Sequence, residues 1–211
     1  VYPPDTRDWL TKIQQKYSVK EIIDSIDNMR DKKVLVIGEA IIDEYYFCEG
    51  LGKSAKDPIL AFKFASKETY IGGSLSVANH LAGLCDKVGI VSLVGDKDSR
   101  IDFIRDHLHP SISFYPFGRE GAPTIHKRRY IDSHTGSKLF ELYTLEDTLL
   151  DEKSEQKLLD VLADAIGDYD VVVVSDYGHG MMTSKVIDFI IENSAYLAVN
   201  TQANAGNRGF N

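Results

Sequence analysis

The stretch KVLVIGEAIID, residues 33–43, decides the fold of this chain. Its apolar run is short and continuous and reaches a glycine at Gly38, which is typical of a strand buried on both faces. Two later runs have the same character, VGIVSLVG at 88–95 and DYDVVVVSDYGHG at 168–180. Strands of this kind belong to parallel sheets whose faces are covered by helices.

Amphipathic helices are predicted between these strands. After the glycine pair Gly72–Gly73, apolar residues recur at helical spacing, and Ser99 and Thr183 are predicted to cap two further helices. Another helix is expected around residues 158–166. Buried strands that alternate with helices predict an α/β fold, a three-layer, mostly parallel, doubly wound sheet.

Two regions of the chain do not fit that buried layer. ILAFKFASKETYI at 59–71 alternates apolar and polar residues, and TIHKRRYID at 124–132 and SKLFELY at 137–143 are predicted to form a hairpin around the turn SHTG. The piece between the first two strands, 48–58, is polar and is predicted to be irregular. We expect a small second sheet, a β-lid, from strands near 45–70 and 124–143 that covers one edge of the main sheet.

The two ends of the chain have their own patterns. Residues 1–32 are predicted to form a helical segment, with a capping box at SVKE, 18–21, and one apolar face. That face consists of Val19, Ile22, Ile23, Ile26 and Met29. Residues 33–211 are then the α/β domain. The polar NTQANAGNRGFN, 200–211, follows a buried strand without a closing helix, which predicts a domain truncated at its C-terminus.

The composition excludes several classes of partner. The 211 residues are 43% hydrophobic and carry a net charge of −8, which disfavours non-specific binding to nucleic acid or to an anionic membrane. No apolar run is as long as a membrane span. Cys48 and Cys85 lie far apart without a CxxC pattern, so we expect reduced thiols in a cytoplasmic protein.

Ligands of open α/β sheets bind beyond the carboxyl ends of the strands. Asp43 and Asp176 are expected there, where a carboxylate accepts hydrogen bonds from neighbouring hydroxyls, although a capping or turn role is the alternative for each. Lys127 and Arg129 share one face of a predicted strand and suit an anionic group, or else form a solvated face. His179 alone is more typical of a surface or hydrogen-bonded residue. The missing GxGxxG pattern disfavours a dinucleotide-binding dehydrogenase.

Taken together, these segments resemble the ribokinase-like carbohydrate kinases. The resemblance rests on VLVIGEAIIDEYYF, YIGGSLSVANHLAGL, IVSLVGDKD and VVVVSDYGHG, in that order and spacing, and covers roughly residues 33–200. It is similar to the family's N-terminal half. PTIHKRRY and SDYGHG are in particular similar to stretches in the heptose-phosphate kinase module of ADP-heptose synthesis enzymes.

The resemblance implies a function and a set of binding residues. Family members transfer the γ-phosphoryl group of ATP, with Mg²⁺, to a sugar hydroxyl. By this resemblance Asp43 holds sugar hydroxyls, and Gly72 and Gly73 approach the sugar through their backbone. Lys127 and Arg129 face a sugar phosphate from the lid. Lids of this family often pair, so the apolar faces of ILAFKF and KLFELY imply a homodimer through the β-lid.

Two positions depart from the family pattern. Ser76 stands where the family usually has asparagine, and a serine hydroxyl has a shorter reach and lacks the paired donor and acceptor of the amide. His179 stands where the heptose kinases have lysine, and it carries little charge near neutral pH. These departures keep a second hypothesis open, a sugar-binding or assembly module of the same fold without catalysis.

The resemblance also implies that catalytic residues lie outside this sequence. The family's glycine-rich D-T-x-G-A-G-D segment supplies the catalytic base and the amides that stabilise the transferring phosphoryl group, and residues 1–211 contain no such segment. We therefore predict that the 211-residue chain alone has no kinase activity. A coupled assay of ATP consumption checks this, and turnover by the isolated chain would contradict it.

Overall fold

The computed structural model describes residues 2–202 and has an α/β fold. Six α-helices and eight strands occur in these residues, with one 3₁₀ turn at Ile166–Asp168. In chain order they are α1 Pro4–Lys16, α2 Val19–Asp27, β1 Lys33–Lys53, β2 Leu60–Gly73, α3 Ser74–Ala82, β3 Lys87–Lys97, α4 Ile101–His107, β4 Ile112–Pro123, β5 Ile125–Asp132, β6 Lys138–Thr144, α5 Glu152–Ala165, β7 Val171–Asp176, α6 Ser184–Asn193 and β8 Leu197–Thr201.

The main sheet is parallel, with the order β4–β3–β1–β7–β8. Its central strand is the first part of β1, where Val36 pairs with Ile90 of β3 on one side and with Val173 of β7 on the other. The predicted α/β class with a mostly parallel, doubly wound sheet is confirmed.

Side chains of β1 alternate between two hydrophobic cores, because successive residues of a strand point to opposite faces. Leu35 and Ile37 belong to the core that contains side chains of α5 and α6. Val34 and Val36 belong to the core that contains side chains of α3 and α4. The sheet therefore has helices packed on both faces, which gives the three predicted layers.

The predicted lid is present, but it is not built from separate strands alone. The second part of β1 pairs antiparallel with β2 and parallel with β5, and β6 extends this small sheet antiparallel to β5. The prediction of an irregular piece over 48–58 is wrong for its first six residues, because β1 continues to Lys53. One strand thus passes from the main sheet into the lid.

The N-terminal segment differs from the prediction in one respect. The capping box is confirmed, with Ser18 Oγ accepting from the Glu21 amide, but Tyr17 is extended and divides the segment into two helices. The apolar face of α2 is not buried, since Val19 is 74% and Ile23 51% exposed, whereas Met29 packs against the body. The division of the chain into 1–32 and 33–211 stays a prediction.

Two smaller details also differ from the expectations. Thr183 caps α6 as predicted, but α4 begins after Arg100, whose left-handed φ of 54° takes the place of the expected Ser99 cap. The edge strand β4 was not predicted, because its glycine and proline residues interrupt the apolar pattern.

Within residues 2–202, the helices are all too short or too polar to cross a lipid bilayer. Cys48 and Cys85 are both buried free thiols. The predicted truncation concerns a C-terminal segment that lies outside the described residues from position 203 onward.

Candidate functional site

A cavity of about 520 Å³ lies where β1 passes from the main sheet into the lid. Six of the seven residues predicted as binding residues line it together: Asp43, Gly72, Gly73, Ser76, Lys127 and Arg129. They come from four elements that are adjacent in space, the strands β1, β2 and β5 and the start of α3. The register between strands explains why they meet.

Alternation along β1 directs Ile41, Asp43 and Tyr45 into the cavity. Asp43 pairs with Lys127 of β5, and Tyr45 pairs with Arg129, so these side chains lie on the same face of the lid. The prediction that Lys127 and Arg129 share a face is therefore confirmed. Arg128, between them, points to the other face and binds Glu44 with a Nε–Oε2 distance of 2.9 Å.

The glycine pair is required by two different contacts. Gly72 pairs with Ile41 across the β1–β2 ladder, and a Cβ atom at Gly72 would collide with the Asp43 carboxylate. Gly73 has a φ of 60° and is the N-cap residue of α3, a conformation that side chains other than hydrogen disfavour. The pair thus admits the aspartate and turns the chain into the helix.

Arg129 is already neutralised within the site. Its guanidinium binds the carboxylate of Asp43 and lies 3.3 Å from Glu141 Oε1 of β6. It also lies over the ring of Tyr45, 5.4 Å from the ring centroid. Arg129 therefore orients Asp43 and connects β5 to β6, rather than presenting an unpaired positive charge.

Lys127 is the other cation of the cavity, and it is 5% exposed. Its Nζ lies 5.4 Å from the ring centroid of Tyr143 and 6.0 Å from that of Tyr177. Burial lowers the pKa of this ammonium group, because a charge loses hydration there. Among residues 2–202, no carboxylate oxygen lies within 4.0 Å of Lys127 Nζ.

The hydroxyl of Ser76 is partly engaged by the backbone. Ser76 Oγ donates to the carbonyl oxygen of Gly73 at 3.0 Å and lines the cavity. The oxygen keeps acceptor capacity toward the cavity, but its proton is used within the first turn of α3.

Asp176, the seventh predicted residue, lies elsewhere. It lines an apolar cleft with Met182 and Ile190 and is 4% exposed. Its Oδ1 accepts the Gly178 amide at 2.8 Å, and burial raises the pKa of the carboxyl group. This geometry is that of a turn-forming aspartate, and a role of Asp176 in substrate binding stays a prediction.

The structure adds Glu39, which the sequence reasoning missed. Its fully buried carboxylate accepts the amide of Tyr177 at 3.0 Å and the amide of His179 at 3.2 Å. Burial is the main cause that raises the pKa of Glu39 to about 7, and the Asp176 charge adds to it. The available signal was a carboxylate inside an apolar strand pattern, which requires a partner.

His179 is buried, not on the surface. It is 3% exposed, and its Nε2 has no hydrogen-bond partner within the described part of the chain. Burial, with a smaller contribution from Lys127, lowers the pKa of His179 to about 4. The imidazole is therefore neutral at pH 7 and does not supply the positive charge of the lysine that the family resemblance implies at this position.

Comparisons with known proteins agree with this fold. No protein-family model matches the chain. The bifunctional protein HldE of Nitratiruptor sp. is 29% identical over 165 residues, 77% of this chain and 35% of the relative. The bifunctional protein HldE of Campylobacter jejuni is 26% identical over 179 residues, 85% of this chain and 37% of the relative. The chain thus spans little more than a third of these relatives.

Solved structures show the same fold. A carbohydrate kinase from Agrobacterium tumefaciens superposes with a TM-score of 0.54 at 18% identity, covering 80% of this chain and 53% of that one. Phosphofructokinase-2 from Escherichia coli, in complex with fructose-6-phosphate, gives a TM-score of 0.60 at 12% identity, covering 82% and 56%. The chain has the fold of these carbohydrate kinases and resembles the ribokinase-like kinases. Its matched part corresponds to about half of those family structures.

Glu39 makes the stability of the chain depend on pH. Its pKa rises from an ordinary value of 4.5 to about 7 on folding, so between these values the folded chain holds a proton that the unfolded chain has lost. Stability contributed by this proton is present below about pH 4.5 and is lost as the pH rises through 7. The loss amounts to about 3 kcal/mol at most, at about 1.4 kcal/mol per pKa unit.

Glu39→Gln removes this titration. From pH 5 to pH 8 the Tm of the parent chain should fall relative to that of Glu39→Gln. Circular dichroism melting curves at each pH measure this difference. Glu49→Gln, on the exposed end of the same strand, is the matched control and should follow the parent. Parallel Tm profiles of Glu39→Gln and the parent would contradict the raised pKa.

Proposed function

We propose that this chain is the substrate-binding part of an ATP-dependent carbohydrate kinase that acts on a sugar phosphate. The observation that carries the proposal is one cavity that combines the Asp43 carboxylate, the glycine pair and the buried Lys127 ammonium. Its reaction, as the family resemblance implies, transfers the γ-phosphoryl group of ATP to a sugar hydroxyl. The support for each part comes from a different contact.

Asp43 is suited to bind a pair of sugar hydroxyls. An ionised carboxylate accepts several hydrogen bonds, and Arg129 holds this one in a single orientation beside Gly72. The absence of a side chain at Gly72 leaves the backbone accessible to a ring that lies against Asp43. Tyr45 and Tyr70 supply aromatic faces on the lid side, and their rings meet edge to face with centroids 5.9 Å apart.

Lys127 is suited to bind the phosphate group. Asp43 and Glu141 bind Arg129, whereas within residues 2–202 no carboxylate oxygen lies within 4.0 Å of Lys127 Nζ. A phosphate close to this buried ammonium gains a charge-assisted hydrogen bond in a medium of lower dielectric constant than water. We therefore assign the phosphate to Lys127 and give Arg129 a positioning role beside it.

The relatives favour a heptose phosphate as substrate. The similarity to bifunctional HldE proteins agrees with the resemblance of PTIHKRRY and SDYGHG to heptose-phosphate kinase modules. We propose a role in ADP-heptose-type nucleotide-sugar synthesis on this basis. An ATP-dependent kinase of this kind acts where ATP is plentiful, which agrees with the predicted cytoplasmic location.

ATP and Mg²⁺ are assigned to the full-length protein and not to these residues. Within residues 2–202 no group of three histidine, cysteine, aspartate or glutamate side chains is arranged to hold a metal ion. No step through the metal is derived from the described residues. The predicted inactivity of the 211-residue chain alone stays a prediction.

A catalytically inactive sugar-binding module is the second candidate function. Two observations favour it, the Ser76 proton engaged by Gly73 and the neutral, buried His179. Both candidates share the same cavity, so binding of a sugar phosphate does not separate them. Phosphoryl transfer by a full-length protein supports the kinase, and binding without transfer supports the module.

The test of the proposed function is a thermal-shift screen of the chain against heptose, ribose and hexose phosphates, with and without an ATP analogue. We expect at least one sugar phosphate to raise the Tm in a concentration-dependent manner. Asp43→Asn should weaken its binding about tenfold or more, because a hydrogen bond to a charged group contributes about 1.5–3 kcal/mol.

Asp57→Asn, on the exposed loop before β2, is the matched control and should bind like the parent chain. Inorganic phosphate alone should give a smaller shift than the sugar phosphate. Absence of a Tm shift with every sugar phosphate would contradict the proposed function.

We further propose that the lid pairs with the lid of a second copy. Its face opposite the cavity is aromatic, with Tyr130 stacked on Tyr46 at 5.0 Å and on Phe140 at 4.3 Å. Phe64 and Phe140 are 59% and 53% exposed on this face. A second identical face would cover these rings and the open strand edge at β6.

Light scattering at micromolar concentration checks the pairing, and a dimer mass is expected. Phe140→Glu should produce a monomer, because each interface would bury two uncompensated charges. Tyr196→Glu, an exposed aromatic position before β8, should remain dimeric as the control. A monomeric parent chain would show that the exposed face is not a homodimer interface.

A further inference from the structure

The turn after β7, residues 177–180, forms part of the wall of the cavity. Tyr177 lines the cavity, whereas His179 and Gly180 are buried behind it. Gly178 and Gly180 have φ values of 72° and 90°, so the backbone reverses sharply over four residues. A turn of this shape must place its amide groups against acceptors, because buried backbone amides require partners.

Glu39 supplies two of those acceptors. Oε2 accepts the Tyr177 amide at 3.0 Å, and Oε1 accepts the His179 amide at 3.2 Å. Glu39 is fully buried on β1, four residues before Asp43 and on the same face of that strand. Because each oxygen binds a different amide, the carboxylate fixes both the position and the orientation of the turn.

This turn also places the aromatic ring of Tyr177 near Lys127. The Tyr177 ring centroid lies 6.0 Å from Lys127 Nζ, and the Tyr143 ring of the lid lies 5.4 Å from the same atom. The ammonium group therefore lies near one ring from the turn and one ring from the lid. A displacement of the turn would change the first of these contacts and open the cavity wall.

We propose that Glu39 is a positioning residue of the cavity: it holds the 177–180 turn by two backbone amides and thereby keeps the Tyr177 ring against Lys127. Glu39 does not itself line the cavity, so it acts through Tyr177. The consequence for sugar phosphate binding rests on the proposed function. The positioning of the Tyr177 ring near Lys127 does not depend on that function.

The test compares the parent chain with Glu39→Gln by NMR at pH 8, where the Glu39 carboxylate is ionised, using ¹³C-labelled lysine and tyrosine. Glutamine has the same size, but its NH₂ group would face one of the two amide donors, so at least one of the two hydrogen bonds is lost. We expect the Lys127 side-chain and Tyr177 ring signals to move without any ligand. Lys127→Arg and Tyr177→Phe spectra assign these signals.

Glu49→Gln is the matched control, a carboxylate on the same strand whose one ion pair within residues 2–202 is with Lys63 at 3.4 Å. It should leave both signals unchanged. A purely structural role of Glu39 would lower the Tm of Glu39→Gln without moving the two signals of the folded chain. Unchanged Lys127 and Tyr177 signals in folded Glu39→Gln would overturn the proposal.

Affinity for a sugar phosphate is the second readout. For a heptose, ribose or hexose phosphate that binds the parent chain, Glu39→Gln should raise the Kd about tenfold, and Glu49→Gln should not. If no sugar phosphate binds the parent chain, the proposed function fails, while the ligand-free NMR comparison still decides the role of Glu39.

Glu39→Asp keeps the test decisive if Glu39→Gln does not fold. The shorter side chain retains the charge but cannot reach both amides in the present backbone. We expect the same two signals to move in Glu39→Asp. Signals at the parent positions in that variant would also overturn the proposal.

Discussion

A single strand that belongs to two sheets is the constraint on which this structure depends. β1 runs from Lys33 to Lys53, pairs with β3 and β7 in the main sheet and then with β2 and β5 in the lid. Its side chains alternate from the core to the cavity, so one face carries Ile37 into the core, Glu39 to the turn and Asp43 into the cavity. The core and the cavity are therefore set by the same register.

The opposite face of β1 shows why a pairing shifted by one residue is unfavourable. Glu44 is buried, and its carboxylate lies 2.6 Å from Lys67 and 2.9 Å from Arg128, so its charge is compensated within the lid. A slip of one residue would exchange Asp43 for this glutamate and would expose apolar side chains of the core. The cost of exposing Ile42 and its neighbours, about 1.5–3 kcal/mol for each large side chain, maintains the register.

Local patterns in the sequence predicted most of the elements and most of the cavity. Apolar runs, the glycine pair and the alternation at Lys127 and Arg129 depend on neighbouring residues, and each was recognisable. The continuity of β1, the contact of Glu39 with the 177–180 turn and the separate position of Asp176 depend on residues far apart in the chain. The exposed face of α2 could not be predicted, because helical periodicity does not show whether a partner surface is present.

The two glycines of the pair shape the site through the backbone. Gly72 leaves room for the Asp43 carboxylate, and Gly73 turns the chain into α3, so neither glycine needs to contact a phosphate. The central claim, one cavity for sugar hydroxyls and phosphate, is tested most directly by a crystal structure of the chain with a bound sugar phosphate. We expect sugar hydroxyls at Asp43 and the phosphate at Lys127. A sugar phosphate bound away from both residues would contradict the claim.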